Sequence, residues 1–223
     1  SAAVHRWTAL ERMSPAAILF DFDGTLIDSA PSILASFAAA LQHTGLKAAV
    51  PLTPSLIGPP LLTTVGTLLG TDDEPTRQRF AAAFREQYDL AGYRHTVAYD
   101  GVPALLEGLH EAGIHLYIVT NKRIAPTRRI LAHLRWEHWF RGVYALDALQ
   151  PPAPNKKSLV RDVLQREALR AADTWMVGDS AEDQSSAEGN ALRFFAACWG
   201  YGQALGDGPR SPLQLLTLAT AQR

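Results

Sequence analysis

With 223 residues, 47% of them hydrophobic and 19% charged, the chain has room for one large domain or a core carrying a modest insertion. A formal net charge of -1 excludes a general electrostatic attraction to nucleic acid or to an anionic membrane. No apolar run approaches the roughly 20 residues of a membrane span. The single cysteine, Cys198, rules out an internal disulfide and suits a reducing compartment, so a cytoplasmic location is expected. Residues 1–13, which end at Met13, are set aside as an N-terminal extension.

The first convincing element is the apolar run "AAILF" at 16–20, which leads into "DFDGT". Residues at i and i+2 of a strand share a face, so Asp21 and Asp23 are expected to point the same way. Two neighbouring carboxylates repel, which suits cation binding or acid-base work better than a purely structural role. Nearly ninety residues then pass before the next clear strand. Helical patterns at 30–45 and 74–92, with 57–70 between them, are too regular for a loop and predict a small helical domain over 27–101. Its hinges are expected near Ile27 and near Val97–Gly101.

Beyond the insert, apolar runs at 114–119, 174–177 and 193–198 read as buried strands, with a shorter one over 140–146. Helical patterns at 102–113, 125–134 and 157–169 alternate with them. That order predicts an α/β core, 14–26 plus 102–223, around a Rossmann-like parallel sheet. Trp136, His138, Trp139 and Phe140 read as packing residues, and Arg128 and Arg129 as a solvated helix face. Arg85 in "REQY" is a candidate at the interface between insert and core.

Sites in open parallel sheets lie beyond the carboxyl ends of the strands. Asp21, Asp23, Gly24 and Thr25 follow the first strand, and Thr120 and Asn121 the second. Lys156 and Lys157 precede a later helix, while "GDSAED" supplies Asp179 and Asp183. Carboxylates for a hard cation, a hydroxyl with backbone amides, and a lysine together make a site for a phosphate held by magnesium.

These four motifs, in this order and spacing, resemble those of the haloacid dehalogenase superfamily of phosphohydrolases. "LIDSAPSI", "IGPPL" and "WGYG" are similar to its phosphoglycolate phosphatase-like branch. The resemblance implies a helical cap and a Mg2+-dependent phosphatase acting on a small phosphomonoester such as phosphoglycolate, a sugar phosphate or a nucleotide. It implies Asp21 as nucleophile and Asp23 as general acid and base. The metal would be held by Asp21, the Asp23 carbonyl and Asp179, with Asp183 orienting that shell. Gly24, Thr120 and the Asn121 amide would serve the phosphate.

One motif departs from the pattern. Where many members of the branch carry a lysine directly before "PAP", this chain has Pro151. The role then falls to Lys156 or Lys157, and Lys156 is preferred because it precedes Leu159 and Val160 by the family's helical spacing. A phosphomutase on the same core and a non-catalytic phosphate-binding protein are the alternatives. Dehalogenation is disfavoured by Asp23, and phosphonate hydrolysis by a cap whose one lysine is Lys47. A monomer or homodimer is expected, with no nucleic-acid or membrane partner.

Overall fold

The computed structural model describes residues 14–206 and 208–221, so the extension expected over 1–13 lies outside the described residues. Strand β1 (Ala17–Phe20) is fully buried and sits at the centre of a sheet. A two-residue antiparallel ribbon follows, formed by β2 (Ile27–Asp28) and β3 (Val97–Ala98), with Ile27 opposite Ala98 and Asp28 opposite Val97. This ribbon stands at both expected hinges. Strands of two residues carry no periodic signal, so the sequence does not announce it.

Between β2 and β3 lie helices α1 (Ala30–Thr44), α2 (Leu61–Leu69) and α3 (Glu74–Leu90). Pro31 and Pro75 stand in the first turns of α1 and α3, where a missing amide hydrogen costs nothing. Gly45 and Gly70 end α1 and α2 in the left-handed conformation. The three helices bury an apolar cluster of their own, including Phe37, Val65, Leu68, Phe80 and Phe84. At roughly 1.5–3 kcal/mol for each large side chain, that burial holds the helices to one another before any contact with the sheet counts.

The chain then runs α4 (Val102–Glu111), β4 (His115–Thr120), α5 (Ile124–Leu134), β5 (Phe140–Ala145), α6 (Lys156–Arg166), β6 (Thr174–Gly178), α7 (Ala181–Glu188), β7 (Arg193–Ala196) and α8 (Pro212–Thr220). The five-stranded sheet has the order β5-β4-β1-β6-β7, and each pair of neighbouring strands in it is parallel. This is the expected α/β architecture. Ile18, Phe20, Leu116, Ile118 and Val177 face one apolar layer, with α4 and α8 packed over it. Leu19, Tyr117, Val119 and Met176 face the other, where Leu159, Val160 and Val163 of α6 cover them. Burial on both faces explains why the strands read as continuous apolar runs.

Trp136 and Phe140 are buried in the first layer with Trp139 packed against it, as their sequence context suggests. Among the described residues, no helix is long and apolar enough to cross a membrane.

Candidate active site

β1 is the middle strand, so the segment leaving its carboxyl end lies between those leaving β4 and β6. Asp21 begins it. Its alternation continues that of Ala17 and Leu19, the face covered by α6, and α6 opens with Lys156. Lys156 Nζ lies 2.7 Å from Asp21 Oδ1 and 2.5 Å from Asp183 Oδ1, with the lysine only 2% exposed. Asn155 caps this helix by accepting from the Ser158 amide at 2.9 Å. Lys157, one residue on, is exposed and runs along Gly189 instead.

Asp183 has two tasks. Its Oδ2 accepts from the Asp179 and Ser180 amides at 3.1 and 3.0 Å, while Ser180 Oγ accepts from the Asp183 amide. That capping box fixes the turn from β6 into α7, and the other carboxylate oxygen holds Lys156. Thr25 Oγ1 donates to Asp179 Oδ1 at 3.1 Å.

Ligand oxygens of Asp21, Asp179 and Asp183 all lie within 4.8 Å of one another. Burial, reinforced by Asp183 and Asp179, pushes Asp21 well above the ordinary carboxylate range against the pull of Lys156. Burial and Asp183 push Asp179 up to about 6. For Lys156, burial opposes the charge, but Asp183 and Asp21 outweigh it and raise the pKa. Three carboxylates around one ammonium leave an excess of negative charge in a site of oxygen donors. That donor set fits a hard divalent cation such as magnesium. Asp23 does not contribute its side chain to this trio.

Gly24 adopts φ +81, and a Cβ there would lie 2.6 Å from Asp179 Oδ2. Its amide donates to the Ile27 carbonyl at 2.9 Å, so Gly24 bears on the site through the room it leaves rather than through a free N–H.

The expectation that Asp21 and Asp23 share a strand face needs correcting. β1 ends at Phe20; the Asp21 amide still donates to the Val177 carbonyl of β6 at 2.9 Å, but Asp23 lies in a tight loop where the amides of Leu26 and Ile27 return to the Phe22 carbonyl. The two acids therefore meet different cations. Lys122 Nζ lies 3.0 Å from Asp23 Oδ1, and the Ser29 hydroxyl donates to that same oxygen.

Thr120, at the end of β4, is 1% exposed, and its Oγ1 accepts from the Lys122 amide at 3.0 Å. The hydroxyl hydrogen remains to be donated. Asn121 Nδ2 donates to the Gly58 carbonyl at 3.1 Å and to Glu182 Oε2 at 2.7 Å, bridging the helical insert to the core. Arg123 adds a second bridge, a two-pronged pair with Asp89 of α3 at 2.9 and 2.6 Å. Arg129 also reaches α3, donating to the Asp89 carbonyl, and so does more than solvate its helix; Arg128 is exposed. Between these bridges lies a cavity of about 60 Å³ lined by Asp23, Asn121, Lys122 and Arg123 below and by apolar residues of α1, α2 and α3 above. Arg85 does not line it.

Sequence reasoning passed over Lys122, Ser29 and Glu182, and placed Thr25 after the first strand without its Asp179 partner. A signal for Lys122 existed, since it directly follows Thr120 and Asn121 at a strand end. "WGYG" also acquires a reason. Trp199 Nε1 donates to the Thr25 carbonyl at 2.8 Å, and the Tyr201 hydroxyl donates to Asp28 at 2.7 Å, bracing the loop after β1 and the hinge beside it.

A family model described as haloacid dehalogenase-like hydrolase matches residues 18–197. The chain belongs to that family. It is 33% identical over 195 residues to the tyrosine-protein kinase PtkA of Mycobacterium tuberculosis, covering 86% of this chain and 65% of that protein. This chain thus spans just under two thirds of that relative's length. It is 33% identical to a 5'-nucleotidase of Pseudomonas aeruginosa, with 83% of each covered. A phosphoglycolate phosphatase of Xanthomonas campestris is 31% identical, with 86% of each covered. Among solved structures, the haloacid dehalogenase-like protein SP0104 of Streptococcus pneumoniae superposes with a TM-score of 0.77 at 28% identity, covering 92% of this chain and 98% of that one.

Proposed function

We propose that this chain is a magnesium-dependent phosphatase that hydrolyses a small phosphomonoester through an aspartyl-phosphate on Asp21. The observation carrying this reading is the buried Asp21 held at 2.7 Å by Lys156 beside Asp179 and Asp183, with Asp23 held apart on Lys122. The phosphatase and nucleotidase names of relatives with matching length support it.

The Asp21 carboxylate attacks phosphorus, and the bond from phosphorus to the leaving oxygen breaks as the new one forms. Asp23, entering this step protonated, gives its proton to that oxygen. It then takes a proton from water, whose oxygen attacks phosphorus, and cleavage of the Asp21–phosphorus bond releases inorganic phosphate. Lys156 stays protonated throughout and balances charge at Asp21. The free hydrogen of the Thr120 hydroxyl and the backbone amide of Asn121 bind phosphate oxygens, the Asn121 side chain being committed elsewhere. Asp21, Asp179 and the Asp23 carbonyl would hold magnesium, which would supply positive charge to offset that of the phosphate. Asp183 positions Lys156 and the β6–α7 turn.

Residues 27–101 serve as a cap on the β2–β3 hinge, closing over a core of 14–26 and 102–223 to exclude bulk water. The proposed setting is the cytoplasm, as a monomer or homodimer. A panel of phosphomonoesters assayed with magnesium, with chelator, and with Asp21→Asn tests the reading. Turnover that requires magnesium and Asp21 is expected; hydrolysis persisting in purified Asp21→Asn would sink it. An ATP-dependent transfer to a tyrosine peptide, with no monoester hydrolysis, would favour instead the activity in PtkA's name.

A further inference from the structure

We infer that the substrate's leaving group is an uncharged, predominantly apolar alcohol or phenol, not a carboxylate-bearing one such as glycolate. This rests on the phosphatase reading above and concerns the cavity next to Asp23, where the leaving oxygen must sit to receive its proton. Phe37, Phe84 and Tyr88 form a continuous aromatic wall there, with ring centroids 4.6 and 5.3 Å apart along the series. Leu56, Ile57 and Leu61 complete the apolar side.

The cations lining the cavity are Lys122 and Arg123, and both are already paired, Lys122 with Asp23 and Arg123 with Asp89. Protonating Asp23 for catalysis frees Lys122, but the arriving phosphate takes up that charge. A divalent cation with Lys156 and Lys122 would bring four positive charges. Asp21, Asp179, Asp183 and a phosphate dianion would bring five negative ones. Glu182, bound to Asn121, adds another. Among the described residues lining the cavity no cation remains for a substrate carboxylate, and burying an unpaired carboxylate against aromatic rings is strongly unfavourable.

Two orphaned polar atoms belong to residues lining the cavity: Asn121 Oδ1, and the Tyr88 hydroxyl, which can donate or accept. Asn121 Oδ1 is buried without a donor, and its orientation is fixed because Nδ2 serves two acceptors. An acceptor in need of a donor repels a carboxylate and suits a neutral O–H or N–H. At about 60 Å³ the cavity holds only a small group without the cap moving.

The test compares kcat/KM with magnesium at pH 7.5 for phosphoglycolate and for its uncharged amide, which differ in little but charge. The amide is expected to be better by about tenfold or more, and calorimetric binding of the two to Asp21→Asn should show the same order. Equal or faster turnover of phosphoglycolate would overturn the inference while leaving the phosphatase reading standing. No turnover of any monoester would remove that reading and this inference with it. Ile57→Lys, which adds an unpaired cation to the apolar wall, should shift the ratio toward phosphoglycolate. An unchanged ratio would mean the leaving group does not occupy this cavity.

Discussion

Lys122 Nζ stands 3.0 Å from Asp23 Oδ1 and 4.7 Å above the ring of Tyr88, linking the proposed acid and base to both the core and α3. Asp23 can protonate a leaving group only once this ion pair loosens, so substrate binding has to draw Lys122 toward the phosphate. Lys122→Ala should therefore lower kcat/KM by about 10–100-fold, a loss of roughly 1.4–2.8 kcal/mol in transition-state binding. Lys122→Arg should recover part of it. A variant with wild-type kinetics would leave Lys122 with no part beyond tying the insert down.

Asp21→Asn bears on stability as well as turnover. A carboxylate whose folded pKa is raised destabilises the fold once pH exceeds that pKa, and the effect vanishes below the unfolded value. An amide removes this cost at neutral pH, while Asp183 still holds Lys156. Without metal at pH 7.5, the variant should melt no lower than wild type. A drop of several degrees would show that the Asp21–Lys156 pair is worth more than the crowding it relieves.

Magnesium should couple to pH through the same carboxylates. With Asp179 pushed up to about 6, protons compete for the cation's ligands as pH falls through that value. The rise in melting temperature on adding magnesium should be large at pH 7.5 and much smaller at pH 5.5. Equal rises at both would remove Asp179 from the ligand set.

The two lysines should separate cleanly. Lys156→Ala takes away a 2% exposed charge shared by Asp21 and Asp183, so turnover should fall by two or more orders of magnitude. Lys157→Ala trims an exposed side chain and should stay within a few-fold of wild type. Steady-state kinetics on the pair decides it, and the reverse ranking would move the role.

Pro59 lines the cavity, whereas Pro60 serves as the N-cap residue of α2. Pro59→Ala should alter relative rates among small monoesters, and Pro60→Ala should act mainly on the insert's stability. Identical relative rates in wild type and Pro59→Ala would mean that this turn does not select.

The sequence alone determined the architecture, because burial on both sheet faces imposes continuous apolar strands and helices impose their own period. It also determined that Asp21, Thr120 and Asp179 follow strands, and a parallel sheet brings its carboxyl ends together. What it could not determine depends on groups distant along the chain. The i, i+2 rule placed Asp21 and Asp23 on one face, but Asp23 lies in the tight loop where Leu26 and Ile27 return to the Phe22 carbonyl, while the Asp21 amide still bonds to Val177 of β6. Choosing Lys156 over Lys157 required the rotation of α6 against β1, set by Leu159, Val160 and Val163. The β2–β3 ribbon, Lys122 on Asp23 and Asn121 on Gly58 each join segments at least sixty residues apart. Such pairings carry no local periodicity. Only the tertiary packing of the chain decided them.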